Sequence, residues 1–296
     1  ETDPIRIPFK IPDGRYQIYR TYDPRIDVIK NIIGNTPKLD GRTQRPHEVL
    51  ELPKLPHRNR VPEYSAYVNS IKTLDAILPY VDRVYFEHGD RFTEAREACV
   101  ARNVECVDLL PRFDPLDETV PEGPVMVNSP GQYRLCRDAP RIYASSVFNC
   151  YNSWFPLDVY QTTLSVELSR NEVSDLIAHR PGRAEVMVFG RTELMYSRDP
   201  GIASGAIVDE KEAAFPVYRD KRGYAHILNS VDLFLLDSAE ELGGSGVMSM
   251  GIDLRKRPPV LAKAVGQYIR KPDPKLRAKL EEMCGGFTYG LYRRGL

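Results

Sequence analysis

A chain of 296 residues, 42% of them hydrophobic, is long enough for one large domain or two small ones and too apolar for a disordered one. Its 41 Lys and Arg balance 41 Asp and Glu, so net charge singles out neither nucleic acid nor a membrane surface as a partner. No run of about 18 uncharged apolar residues occurs, which argues against a membrane-spanning helix.

The first residues, ETDPIRIPFK, lack an initiator Met and the basic-then-apolar layout of a secretion signal, so the chain reads as a piece of something longer. Pro4, Pro8, Pro12, Pro24, Pro37, Pro46, Pro53 and Pro56 punctuate residues 1–60. Alternating apolar residues around Asp13-Gly14 predict a hairpin there. The segment is too broken to carry its own core. It is expected to be an extended N-terminal arm or the remnant of a preceding domain, with residues 61–296 as the main domain.

From residue 61, eight short apolar runs alternate with helical patterns. The runs are 65–69, 81–87, 104–110, 124–128, 141–147, 162–168, 184–190 and 246–254. After the first, Ile71, Leu74, Ile77 and Leu78 share one helical face. TEAREACVARN follows the second run and GQYRLCRDA the fourth. Ser169 and Glu172, three apart, form a capping-box pattern that opens a helix after the sixth. PPVLAKAVGQYI, after the eighth, begins with prolines that a first helical turn tolerates. Strand–helix alternation predicts a parallel sheet. Eight repeats favour closure into a modified (β/α)8 TIM-like barrel over an open sheet, which stays as the alternative. Two segments depart from the repeat. FNCYNSWFPLDVY, after the fifth run, is a poor helix. Between the seventh and eighth runs lies a long insertion, 191–245, with apolar pieces FPVYRD and HILNSVDLFLLD of its own, and long insertions in compact domains are usually functional.

Site residues of such a barrel gather at the carboxyl ends of the strands. The polar residues there are Asn69, Glu87, His88, Asp108, Arg112, Asn128, Ser146, Asn149, Glu167, Arg170, Arg191 and Asp253. Glu167 and Glu87 are the predicted catalytic acid–base pair, provided that a partly dry mouth raises a carboxyl toward neutrality. Arg191, with a two-pronged donor, is the predicted anchor for a carboxylate or phosphate, and Asn128, Asn149 and Asn152 are predicted to orient polar substrate atoms. Each could instead satisfy a neighbour or cap a helix. Gly190 is read as the turn at the end of the seventh strand, with the insertion beginning to cover the mouth after it.

Other signals are weak. GSGVMSMG lacks the strand–GxGxxG–helix order of a dinucleotide loop, and no GxxxxGK[ST], HExxH or GxSxG motif occurs. RKRPP reads as solvated surface. The five cysteines, Cys99, Cys106, Cys136, Cys150 and Cys284, are odd in number and fit neither a disulfide framework nor a CxxC clamp. Reduced thiols in a cytoplasmic protein are expected. Cys150 and His88 could complete a zinc site only across the two-fold axis of a homodimer.

The stretches DRVYFE, VMVNSPGQYRL, SSVFNCYNS, TLSVELSRNEVSDL, EVMVFGRTELMYSRD, FPVYRDKRGYAHILNSVDLFLLD, GVMSMGIDLR and GGFTYGLYRRG, in this order over residues 64–296, resemble the collagenase-like peptidases of unsettled mechanism, peptidase family U, number thirty-two. The resemblance implies a modified (β/α)8 barrel with an extended connection between strands seven and eight, and a peptidase. It also points to relatives that hydroxylate RNA bases or quinone precursors and hold an iron–sulfur cluster through four Cys. Here the corresponding positions are Glu193, Pro200 and Tyr224, and no Cys occurs from 151 to 283, so no cluster is expected. Two functions are expected on this basis. One is a peptidase that takes a peptide or small anionic ligand at the barrel mouth without a cofactor. The other is a non-catalytic or accessory binding barrel of an RNA- or cofactor-modifying system that has lost its cluster.

Overall fold

The computed structural model describes residues 61–112, 121–153, 157–179 and 183–294, together with Lys54. The predicted hairpin, and all of the predicted arm but Lys54, lie outside the described residues. The first seven apolar runs form β1 (Glu63–Val68), β2 (Arg83–Glu87), β3 (Glu105–Leu109), β4 (Val125–Val127), β5 (Ile142–Ala144), β6 (Gln161–Thr163) and β7 (Arg183–Gly190). The insertion forms β8 (Glu193–Ser197), β9 (Gly205–Val208), β10 (Ala214–Arg219), β11 (Ala225–Leu228) and β12 (Asp232–Phe234). The eighth run is β13 (Ser249–Asp253), and β14 (Phe287–Thr288) comes near the end. Strands β1 to β7 pair in parallel in chain order, and β13 pairs in parallel with both β1 and β7. The ring is closed: this is an eight-stranded parallel barrel, not an open sheet.

Two strands stop well short of the carboxyl ends of their apolar runs. β5 stops at Ala144 because the Ser145 hydroxyl accepts the backbone N–H of Val147, and Ser146–Phe148 turn as a 3-10 helix. β6 begins at Gln161 and ends at Thr163, so Glu167 lies beyond the strand rather than within it.

The helices are α1 (Ile71–Ile77), α2 (Phe92–Val100), α3 (Pro130–Leu135), α4 (Arg170–His179), α5 (Ala239–Gly244), α6 (Pro259–Arg270) and α7 (Pro274–Cys284). The capping box is in place: Ser169 N–H donates to Glu172 Oε2 at 2.7 Å, and Glu172 N–H reaches Ser169 Oγ at 3.5 Å. Helix α7 has no counterpart among the expectations, although its signals were present. Asp273 accepts from Lys275 and Leu276 N–H at 2.8 and 3.0 Å, and Gly285 ends the helix in the left-handed region. Among the described residues no α-helix joins β5 to β6, only the 3-10 turn at Ser146–Phe148, in keeping with the Asn-rich segment. None of the described helices is long and apolar enough to cross a membrane.

The barrel interior changes character from bottom to top. At the bottom, the first residues of several strands carry charges that meet. Arg83 pairs with Glu63 at 2.8 Å and Glu105 at 2.7 Å, Arg183 with Glu63 at 2.5 Å, and Arg141 with Glu105 at 2.7 Å. Burial alone raises the Glu105 carboxyl, but Arg83, Tyr143 and Arg141 overcome it and hold it below its ordinary value. Toward the top, Tyr67, Tyr85, Val107, Leu109, Met126 and Tyr143 pack as an apolar plug. Even-numbered neighbours such as Ala66, Val68, Val84 and Phe86 face outward into the helix layer, because side chains alternate along a strand.

Strand β7 is the longest of the ring and changes partners along its length. Its register on β13 slips between Gly251 and Ile252, so that Met187 and Phe189 face consecutive residues. Such a bulge bends the strand and re-aims the residues beyond it. The last residues, Phe189 and Gly190, pair antiparallel with Phe234 and Leu233 of β12, and β14 adds to β12. Gly190 has φ +116, and a Cβ there would stand 2.5 Å from the Asp253 carbonyl oxygen. Both backbones are held in the sheet, so Gly190→Ala is expected to cost about 2–4 kcal/mol through clash and strain together. Urea denaturation measures this; a loss below about 0.5 kcal/mol would mean that the two strands separate freely here.

Candidate functional site

Above the apolar plug, the carboxyl ends of the strands open into a cavity of about 650 Å³. Tyr67, Leu109, Met126 and Met187 form its floor. The rim carries Glu87 at the end of β2, His88 just beyond it, Asn128 after β4, Asn149, Glu167, Arg191 after β7, and Asp253 at the end of β13. These residues converge because parallel strands of a closed ring all end on one side.

The insertion supplies the roof. Strands β8 to β11 form an antiparallel sheet in the order β8-β11-β10-β9. The register sets His226 on β11 opposite Tyr196 on β8 and Tyr218 on β10, so the three rings share one face. That face meets the mouth, where His226 and Tyr218 line the cavity. Val217, Ala225 and Ile227 take the other face and pack with Ile202 and Phe215 into a core of their own.

His226 is the most enclosed acid–base group of the roof. Its Nδ1 lies 2.6 Å from a Glu193 oxygen and its Nε2 3.4 Å from Asp220, and its ring stacks on Tyr218 with centroids 4.4 Å apart. Glu193 also pairs with Arg112, whose guanidinium lies 5.1 Å from the Tyr196 ring centre. Asp220 is fixed by the backbone N–H groups of Arg222 and Tyr224, each at 2.9 Å, and by the Tyr196 hydroxyl at 3.3 Å. Burial lowers the imidazole pKa below its ordinary value, with Asp220 opposing. Burial raises Asp220, but the Tyr224 and Arg222 N–H groups and His226 overcome it and hold that carboxyl low. Burial also pushes the Tyr218 phenol up to about 12, so it stays a neutral stacking partner. Both ring nitrogens face carboxylates, and the shorter contact, to Glu193, favours the proton on Nδ1, which leaves Nε2, at the longer contact to Asp220, as the basic nitrogen. A carboxylate-oriented neutral imidazole in a cavity is equipped to take a proton from water and return it to a leaving group.

Five of the six predicted catalytic and substrate-binding residues line this one cavity: Glu87, Asn128, Asn149, Glu167 and Arg191. Asn152 does not. The left-handed turn at Asn149 (φ 49) carries the chain past the lining, and Asn152 is exposed. The dry environment that would raise a carboxyl is missing at both predicted acids. Glu167 is exposed and accepts the Tyr151 hydroxyl at 2.6 Å; Glu87 is exposed and accepts Asn69 Nδ2 at 2.9 Å. Asn128 spends its Nδ2 on the Leu110 carbonyl at 2.7 Å, tying β4 to the end of β3. Arg191 stands 3.7 Å from the wholly buried Asp232.

Sequence reasoning passed over His226, which sat inside an apolar piece of the insertion, and Glu185, which sits inside β7. Glu185 is fully buried in the barrel. Its carboxyl accepts from Ser65 and Tyr67 hydroxyls at 2.5 Å, Ser249 at 2.7 Å, Thr163 at 3.0 Å, Gln161 Nε2 at 3.1 Å and Tyr85 at 3.3 Å. These donors come from β1, β2, β6 and β13. Burial and the Glu185 charge raise the Tyr67 phenol far above its usual range, so Tyr67 remains a donor to Glu185 beneath the cavity floor. A charged letter between buried Ala184 and Val186 was the available signal.

The zinc expectation meets an unfavourable placement. Cys150 is 2% exposed, with its thiol directed at the Asn152 carbonyl 3.7 Å away, so it offers no surface to a second copy of the chain. His88 Nδ1 is engaged by Asp108 at 2.9 Å. All five cysteines are buried, none lines the cavity, and among the described residues no group of three or more His, Cys, Asp and Glu could hold a metal ion.

No family model and no curated protein matches this chain, so the resemblance to the collagenase-like peptidases rests on the quoted stretches alone. Solved structures with a similar trace include the Bacillus cereus spore cortex-lytic enzyme SleL, with 9% identity over 66% of this chain and 71% of that one, at a TM-score of 0.38. The tryptophan synthase complex from Pyrococcus furiosus matches at 9% identity over 75% of this chain and 97% of that one, TM-score 0.35. The chitinase from Chromobacterium violaceum matches at 7% identity over 75% and 98%, TM-score 0.35. The fold assignment stands on the closed strand register.

Proposed function

We propose that this barrel is a hydrolase that cleaves peptide bonds in its roofed mouth, with His226 as general base and acid. The observation that carries the proposal is the His226 imidazole, held by Glu193 and Asp220 in the same cavity as Arg191. In this reading Nε2 removes a proton from water as the water oxygen bonds to the peptide carbonyl carbon. The imidazolium then returns that proton to the nitrogen as the C–N bond breaks. Glu193 keeps the ring oriented throughout, and Arg191 holds an anionic group of the substrate. Glu87, Glu167, Asn128 and Asn149 along the rim orient its amides. Peptide as the substrate class comes from the ordered sequence stretches.

The test is release of amino groups from a panel of di-, tri- and longer peptides, followed across pH. Because burial lowers the His226 pKa, the neutral base form is lost only below the ordinary imidazole value, and the acid limb of kcat/KM is expected below pH 6.5. Asp220 opposes that shift, so Asp220→Asn should move the limb to still lower pH. A limb that stays in place in the variant would remove His226 from the mechanism. No release from any peptide would defeat the hydrolase reading.

The alternative, a binding barrel that accompanies a modifying enzyme, is favoured by one observation: no thiol reaches the cavity. It expects ligand binding without turnover. If the ligand is RNA, affinity falls steeply with added salt.

A further inference from the structure

The cations around the mouth have unequal partners. Arg255 grips Asp253 through Nε at 3.0 Å and Nη2 at 2.6 Å. Arg112 pairs with Glu193, and Lys221 of the roof lies 3.7 Å from Asp90. Among the described residues Arg191 has only Asp232, at 3.7 Å, and that carboxyl is already bound at 2.7 Å by Arg257. Two guanidiniums therefore share one buried carboxyl. The Nε atoms of both, and Asp232 Oδ1, are buried without a hydrogen-bond partner. Burial raises the Asp232 carboxyl above its ordinary value, with Arg257 and Arg191 opposing.

The shape of the wall matters as much as the charge. Arg191 comes just after the point where β7 leaves β13 for β12, and β14 backs β12. Behind its guanidinium stand Asp232, with no exposed surface, then Arg257 and the buried Cys284. Elsewhere on the rim Lys221 of the roof approaches Asp90 of the loop after β2 through an exposed contact. With Asp232 and Cys284 buried behind it, Arg191 forms part of the cavity wall, a place that suits the end of a ligand. A cavity of about 650 Å³ suits a small ligand and not a long segment.

We infer that Arg191 receives the terminal carboxylate of a short peptide, so that the ligand is a carboxylate-ended di- or tripeptide and not an internal stretch of a long chain. What happens to that peptide rests on the hydrolase reading; its recognition does not. An incoming carboxylate meets the exposed part of the Arg191 guanidinium and neutralises its surplus charge, and a charge-assisted pair of this kind is geometrically selective.

Calorimetric titration of the intact chain with trialanine and with trialanine carboxamide tests the inference directly. Trialanine should bind about tenfold or more tightly than its amide, the difference expected of a hydrogen bond to a charged group. Arg191→Gln should abolish the preference while leaving amide affinity as it was, and Arg191→Lys should restore part of it. Melting curves check that each variant folds. If Arg191→Gln unfolds, the wild-type comparison decides alone. Equal affinities, a preference for the amide, or no measurable binding of either at millimolar concentration would overturn the inference. Titration with acetate separates a bare carboxylate from a peptide: binding as tight as that of trialanine would overturn the peptide part. Carboxylate preference without cleavage would spare this inference and defeat the hydrolase reading. Cleavage of long peptides blocked at both ends, without carboxylate preference, would do the reverse.

Discussion

Replacing His226 with alanine is expected to reduce peptide turnover about 10²–10⁴-fold, the usual contribution of a positioned acid–base group, while the barrel stays folded. The ring belongs to the roof sheet, which has its own small core of Val217, Ala225 and Ile227 on the opposite face. Losing the stack on Tyr218 therefore weakens the roof locally and leaves the eight-strand ring intact. The comparison that isolates chemistry from structure is kcat against KM. A base acts in the transition state, so kcat should fall with KM little changed. Glu193→Gln should show a smaller loss, because the amide still accepts from Nδ1 but no longer stabilises the imidazolium. Activity of His226→Ala within a few-fold of wild type, with intact circular dichroism, would show that the roof histidine only packs.

The largest effect on stability is expected at Glu185. Alanine there removes the acceptor for Ser65, Tyr67, Thr163, Gln161 and Ser249 at once and leaves a hole in a barrel that admits no ready substitute. The cost is expected to be about 3–5 kcal/mol, since several buried donors lose their partner together. Glu185→Gln keeps the volume but turns an amide NH₂ toward donors, and should cost about half as much. Urea denaturation with an unchanged m-value measures both. The two variants should also differ at the cavity: with Tyr67 released from its 2.5 Å bond, the floor of the mouth loses its anchor. A Glu185→Ala protein within about 1 kcal/mol of wild type would mean that these donors re-pair among themselves or with water.

Most of the eight strands were readable because they are short runs rich in buried Val, Ile, Tyr and Phe between breakers, as a strand buried on both sides must be; β6, Gln161-Thr162-Thr163, is polar and was placed by the repeat. The start of α4 was readable from Ser169 and Glu172, because a capping box is a local interaction between residues three apart. Five mouth residues were readable as strand-end polar letters, since a closed ring brings all such ends to one side. Asn152 falls outside the lining, and Glu167 lacks the dry surroundings on which its predicted role was conditional, for the same reason. Strand ends were extrapolated beyond Ala144 and Thr163, where side-chain hydrogen bonds and turns take the backbone elsewhere.

The barrel is encoded in the letters themselves, because hydrophobic period and turn chemistry act between near neighbours and every repeat carries them independently. Folding in three dimensions was needed to bring the insertion back as a sheet, to line His226 up with Tyr196 and Tyr218, and to turn the hydrogen bonds of Ser65, Gln161, Thr163 and Ser249 on Glu185. Those features depend on strand stagger around a closed ring and on pairings between residues up to 120 positions apart, which no local pattern of letters encodes.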